Sequence, residues 1–207
     1  MAIKVVDHPV ARHLLAELRS ADTPPAAFRS LARKLAILLM IEATRDLTET
    51  PRKVSTPLED VEAQSLADPI ILVPILRAGL GLLDPIVDLF PEARVGYIGL
   101  ERDEATFKPT TYYSKLPQVS SARVFVLDPM LATGGSAAAA IRAVREAGAS
   151  WIRMISVVAA PEGVAVLEDT HPDVDIVTAA LDRELNDRAF IVPGLGDFGD
   201  RLYGTED

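Results

Sequence analysis

The apolar positions of this 207-residue chain follow two rhythms, and the change falls near residue 70. Before it the spacing is helical. In "TPPAAFRSLARKLAILLMIEATRDL" (23–47), Phe28, Leu31, Leu35, Leu38 and Leu39 share one helix face. Thr23 is placed to cap that helix, and Pro24 suits its first turn. "PRKVSTPLEDVEAQ" (51–64) is polar and proline-bearing, a connector or an exposed arm.

Beyond residue 70 come apolar, β-branched runs with little alternation: 70–76, 94–100, 123–128, 151–160 and 174–181. Such runs suit strands buried on both faces, as in a parallel sheet. Helical stretches separate them at 81–90, 136–149 and 161–171. The alternation predicts an α/β fold with an open, mainly parallel twisted sheet flanked by helices. Ligands on such sheets collect where strands end and helices begin. "ERDEATFKPTTYYSKLP" (101–117) is long and polar between two core strands, which suggests a functional flap or an arm.

Composition narrows the class. Apolar residues are 49% and charged residues 25%, ordinary values for one globular domain over 1–207. The chain has no cysteine, so disulfides and thiolate metal sites are excluded. Neither a secretory signal nor a run long enough to cross a bilayer is visible, and a cytoplasmic protein is expected. The net charge of −9 argues against long-range attraction to nucleic acid or an anionic membrane. An anionic small molecule would need its positive charge supplied locally.

The chemistry concentrates in "VFVLDPMLATGGSAAAA" (124–140). A bland strand-to-helix turn would explain the glycines. An anion cradle explains more: the N–H groups of Ala132, Thr133, Gly134, Gly135 and Ser136 would face a phosphate at a helix N-terminus, with two hydroxyls adding donors. Asp128 would repel that phosphate, so its natural partner is a neutral vicinal diol. Acid for ribose and turn for its 5-phosphate together describe a ribose phosphate.

"VFVLDPMLATGGS" resembles the ribose-phosphate loop of type I phosphoribosyltransferases, and "DPMLATGGS", with Pro129 after the acid, resembles the uracil phosphoribosyltransferase version. The resemblance implies that family's fold, with a small hood built from the N- and C-terminal segments. It also implies transfer of phosphoribose from 5-phosphoribosyl 1-pyrophosphate (PRPP) to uracil, giving UMP and pyrophosphate. On that likeness Asp128, Pro129, Met130, Leu131, Ala132, Thr133, Gly134, Gly135 and Ser136 form the PRPP loop. Arg77 in "PILRAGLG" (74–81) matches the pyrophosphate loop, where a guanidinium can grip two oxygens, and Arg102 matches the flap arginine. Tyr112 and Tyr113 close over the site or pack an interface.

The tail "GLGDFG" (194–199) matches G-x-G-x-x-G literally, but only eight residues follow it, too few for a dinucleotide fold. Its bare backbone can instead match uracil, with N–H groups to two carbonyl oxygens and a carbonyl to N3–H. Cytosine would leave buried groups unpaired at about 1–3 kcal/mol each. "IVPGLGD" resembles the family's uracil loop and carries over Ile191, Gly196, Asp197 and Phe198, with Asp197 also approaching PRPP. Phe198 stands where the family usually has alanine: a backbone contribution leaves it harmless, a side chain in the pocket would narrow it. Asp128, Arg102 and Asp197 are the catalytic candidates, Asp197 as acceptor of the uracil N1 proton.

His8, His13 and His171 show no partner pattern and suit surface or capping roles. No carboxylate–histidine cluster suggests a protein-held metal, so Mg²⁺ is expected to arrive on pyrophosphate oxygens. The resemblance implies a homodimer or homotetramer and raises GTP as an effector. A uracil-nucleotide-sensing RNA regulator and a purine phosphoribosyltransferase are the alternatives; the net charge opposes the first, and the "LDPM" loop and the tail favour uracil.

Overall fold

The computed structural model describes residues 1–102 and 109–205. Along the chain run β1 (Ile3–Val5), α1 (Pro9–Arg19), α2 (Pro25–Ala43), the hairpin β2 (Glu49–Ser55) and β3 (Asp60–Leu66), and β4 (Ile70–Leu76). They are followed by α3 (Leu80–Leu89), β5 (Arg94–Val95), β6 (Tyr97–Arg102), β7 (Pro109–Lys115), β8 (Arg123–Leu127) and β9 (Met130–Leu131). The C-terminal third holds α4 (Gly135–Glu146), β10 (Trp151–Ala159), α5 (Pro161–Thr170), β11 (Asp175–Leu181), β12 (Glu184–Leu185), β13 (Ile191–Val192) and α6 (Phe198–Tyr203).

The main sheet is ordered β1–β11–β10–β8–β4–β6–β7, with β5 also on β4 and β9 also on β10. Its pairings are parallel except β6–β7. The unalternating apolar runs have the predicted cause. In β8, Phe125 and Leu127 pack towards α1, α2 and α3, while Val124 and Val126 pack towards α4 and α5. Both faces are covered, so each position must be apolar.

Several expectations change in detail. The helix predicted over 23–47 spans Pro25–Ala43; its N-cap is Pro24 without a side-chain cap. The Thr23 hydroxyl donates instead to the Glu17 carbonyl at 2.6 Å, which ties the end of α1 to the start of α2. The polar stretch 51–64 is a regular exposed hairpin, with Glu49 opposite Leu66 and Ser55 opposite Asp60. The apolar run at 94–100 is split at Gly96 into β5 and β6. Segment 101–117 is the antiparallel β6–β7 hairpin, and its central residues 103–108 lie outside the described ones.

The sequence reading missed β1 and α1. His8 supplies the signal for α1: its Nδ1 accepts from the Val10 N–H at 3.1 Å, a cap on a helix that opens with proline. His171 is buried, with Nε2 3.1 Å from the Ala138 carbonyl, a packing role. At the base of the sheet, buried Arg153 donates to both Asp46 oxygens and to the Ala43 carbonyl, anchoring the end of α2 to β10. That guanidinium holds the Asp46 carboxyl down at about 2, but Asp46 is largely exposed, so the pair adds little stability.

Candidate active site

The site forms where β4, β8 and β10 end. Strand β8 stops at Leu127, and the chain turns through Asp128 and Pro129 into β9. Strand β10 holds this turn from beneath. The Pro129 carbonyl accepts from both Val157 and Val158 N–H, at 3.0 and 3.1 Å, and the Leu131 carbonyl accepts from Ala160 at 2.8 Å. The Leu131 N–H donates to the buried Ser156 hydroxyl at 3.2 Å, and that hydroxyl donates on to the Val158 carbonyl at 2.9 Å. Anchored to β10 through Pro129 and Leu131, the start of the loop is fixed.

This anchoring divides the predicted cradle into bonded and unbonded backbone groups. Pro129 and Leu131 are buried and use their backbone groups inside the protein, so they support the loop rather than line it. The Ala132 N–H donates to the Met130 carbonyl at 3.1 Å and is also used. The available amides begin one residue later. Among the described residues no acceptor takes the N–H of Thr133, Gly134, Gly135 or Ser136, the orphans expected where a helix begins. Gly134 is the N-cap of α4 with φ 80°, and Thr133 and Ser136 are exposed. Four amides without an acceptor and two exposed hydroxyl-bearing residues therefore gather at the positive end of α4.

Asp128 is half-buried beside this turn. Burial pushes its carboxyl up to about 7, opposed only by the Met130 N–H at 3.4 Å from Oδ1. The acid is therefore close to half-protonated at neutral pH, and a ligand that donates hydrogen bonds would favour its ionised form.

The Arg77 loop crosses close to this strand end. A Cβ on Gly79 would lie 2.4 Å from the Leu127 carbonyl, so only glycine lets the loop pass over β8 immediately before Asp128. Arg77 itself is exposed, and its Nη2 lies 3.9 Å from Asp200, too long for a hydrogen bond. The Tyr203 hydroxyl donates to the Arg77 carbonyl at 3.4 Å, which brings α6 to the same place. Arg102 ends β6, and its side chain lies outside the described residues. On β7, Tyr112 and Tyr113 are exposed, and the Tyr112 ring lies across Gly99 of β6.

The tail completes the enclosure. A cavity of about 240 Å³ is lined by Met130 and Ala132 from the β8–α4 loop, and by Arg188, Ala189, Phe190, Ile191, Gly196 and Asp197 from the tail. Two stretches separated by some sixty residues thus face one opening. Arg188 and Phe190 escaped the sequence reading. Their signal was the turn "NDRA", where the Asn186 side chain accepts from the N–H of Arg188 and Phe190 at 2.9 and 3.0 Å. Asp197 caps α6, with Oδ1 accepting from the Asp200 N–H at 2.9 Å, so one of its oxygens is already engaged.

Phe198 resolves the question its departure raised. Its side chain is 1% exposed and packs edge-to-face on Phe28 of α2, with ring centroids 5.1 Å apart. The ring fills the core beneath the loop and does not line the cavity.

Placed against known proteins, this fold and site define a class before they define a family. A solved structure of a phosphoribosyltransferase from Corynebacterium diphtheriae aligns over 83% of this chain and 96% of its own, with a TM-score of 0.53 and 15% identity. The architecture is therefore a phosphoribosyltransferase fold. A family model described as uracil phosphoribosyltransferase matches residues 5–205. Uracil phosphoribosyltransferases from Roseiflexus sp. (strain RS-1) and Deinococcus radiodurans are 53% and 49% identical, with 98% and 100% of this chain and 98% and 99% of theirs covered. The solved AQ2163 protein from Aquifex aeolicus superposes with a TM-score of 0.94 at 36% identity over 99% of each chain. The chain belongs to the uracil phosphoribosyltransferase family.

Phe198→Ala should cost about 3–5 kcal/mol, a fall in melting temperature on the order of 10 °C, because the cavity beside Phe28 cannot fully collapse. Thermal unfolding alongside uracil kinetics checks this: the KM for uracil at a permissive temperature should stay within about twofold, since the ring packs on Phe28 and does not line the cavity.

Proposed function

We propose that the protein joins uracil N1 to the anomeric carbon of PRPP, breaking the bond to pyrophosphate and forming UMP. One observation supports this above the others: Met130 and Ala132, on the loop that leads from Asp128 to the amide turn, and the glycine tail loop border the same cavity of about 240 Å³. A ribose phosphate held by the first would present its anomeric carbon to a base held by the second.

The roles follow from the chemistry of each group. Thr133, Gly134, Gly135 and Ser136 offer amides and hydroxyls to the 5-phosphate. Asp128 accepts from the ribose hydroxyls and lies near the positive charge that builds on the ring as pyrophosphate leaves. Arg77 and, on the family likeness, Arg102 steady the departing pyrophosphate. The backbone of Ile191, Gly196 and Phe198 reads the uracil edge, and Asp197 takes the N1 proton. Catalysis is then positioning plus charge stabilisation, without a covalent intermediate. Mg²⁺ would supply charge neutralisation to the pyrophosphate. Among the described residues no three His, Asp or Glu side chains gather to hold a metal; a magnesium ion would be held mainly by the substrate's own oxygens.

The direct test mixes the protein with PRPP, Mg²⁺ and each common base. UMP from uracil and no nucleotide from cytosine, adenine or guanine is the expected result; a purine nucleotide, or no product, overturns the reading. Arg77→Ala should raise the KM for PRPP roughly 10- to 100-fold, the worth of one charged hydrogen bond, with the uracil KM little changed. Steady-state kinetics with each substrate varied decides it.

Asp128→Asn should lower turnover by about 100-fold or more. It should also stabilise the fold, and the sign can be worked out. The folded carboxyl titrates at about 7, well above its ordinary value, so the cost in stability builds up as pH rises from the ordinary carboxylate range to about 7 and is then constant. The neutral amide removes that cost. The melting temperature of Asp128→Asn should therefore exceed the wild type's at pH 8, and the gain should vanish near pH 4. In the wild type, kcat/KM for PRPP should fall as pH drops through about 7.

A further inference from the structure

The tail loop proposed to read the base is itself held by a charged pair, Arg19 at the end of α1 and Asp182 just beyond β11. Arg19, the last residue of α1, donates from Nη2 to Asp182 Oδ1 at 2.6 Å and from Nη1 to Oδ2 at 2.8 Å. Asp182 is buried just beyond β11, with its own N–H on the Ala159 carbonyl at 2.8 Å. Asp182 Oδ2 also accepts from the Gly194 N–H at 2.9 Å, while Arg19 Nη1 donates to the Gly194 carbonyl at 2.7 Å. One ion pair thus grips both polar groups of a single glycine.

That glycine is where the loop turns. Gly194 has φ 58°, and a Cβ there would lie 2.1 Å from the Ile191 carbonyl. The next carbonyl, that of Leu195, accepts from Arg201 Nη1 at 2.7 Å. Arg201 reaches back to the end of α1 as well, donating to the Leu18 and Ser20 carbonyls at 2.5 Å each. With Gly194 and the Leu195 carbonyl engaged, Gly196 is the first residue of the loop to line the cavity, and among the described residues no acceptor takes its N–H.

We infer that Arg19 and Asp182 are positioning residues for base recognition: they lock the Gly194 turn so that Gly196 to Phe198 present a fixed row of backbone groups to the base. This rests on the proposed uracil site and names what keeps it rigid. A backbone reader discriminates only if it cannot move, and an error of about 1 Å in placement is enough to cost on the order of 100-fold. Among the described residues the pair's side-chain hydrogen bonds go to each other and to Gly194, none to Arg77 or the 133–136 amides. Its loss should therefore fall on the base and spare PRPP.

The test is steady-state kinetics of Arg19→Gln, Asp182→Asn and Arg19→Lys, with hydrogen exchange over the peptide containing Gly194. Arg19→Gln and Asp182→Asn should raise the uracil KM about tenfold and leave the PRPP KM within about twofold. Exchange at Gly194 should quicken in both. Arg19→Lys keeps the charge and one donor to Asp182, so it should recover part of the uracil KM; it is also the variant that decides if Arg19→Gln fails to fold. An unchanged uracil KM, or equal rises for both substrates, would overturn the inference even if melting temperatures fell. A wild type that makes no UMP would instead remove the functional reading; exchange at Gly194 would still read the lock, and unchanged exchange would sink it.

Discussion

The edge of β10 governs this site. Its Val157 and Val158 amides converge on the Pro129 carbonyl, its Ala160 neighbour takes Leu131, and its Ser156 hydroxyl takes the Leu131 N–H. A loop anchored by its lower backbone groups has only its upper ones left to offer. Those are the Asp128 carboxylate and the amides from Thr133 to Ser136. The dry strand beneath also explains why Asp128 is hard to ionise: the same packing that fixes the acid strips water from it.

A protein of net charge −9 that handles a multiply charged substrate has to solve its electrostatics locally. The arrangement relies on oriented amides at the start of α4 and on Arg77 with its guanidinium largely uncommitted, not on a broad positive field. Asp128, the acid proposed to accept from the ribose hydroxyls, lies just before these amides in the chain. Stability and chemistry pull against each other at that residue, a common feature of active sites.

The two terminal segments meet beside the tail loop. Phe198 on Phe28 and Arg201 at the end of α1 join the tail to α1 and α2, and the Arg19–Asp182 pair ties the same tail to the sheet. Where the family usually carries alanine, this chain places an aromatic ring in the core, so the departure changes packing beneath the loop and not the surface above it.

The sheet strands from residue 70 onward were legible because burial on both faces leaves an unbroken apolar run, a signal that needs no knowledge of partners. The ribose-phosphate turn was legible because its chemistry is local: acid, proline, hydroxyls and glycines lie within nine residues. The hairpin at 49–66 was not, because its exposed strands carry no apolar alternation to mark them. Nor were the unavailability of the Ala132 amide, the inward turn of Phe198, the cavity contacts of Arg188 and Phe190, or the grip of Arg19 and Asp182 on Gly194. Each depends on a partner from 25 to 175 positions away or on a neighbouring backbone atom of fixed geometry, and sequence spacing holds no record of which distant groups the folded sheet brings within 3 Å. The amino-acid sequence by itself determined the strands, the turn and the kind of ligand they suit; only the tertiary structure decided which backbone groups remain free to bind it.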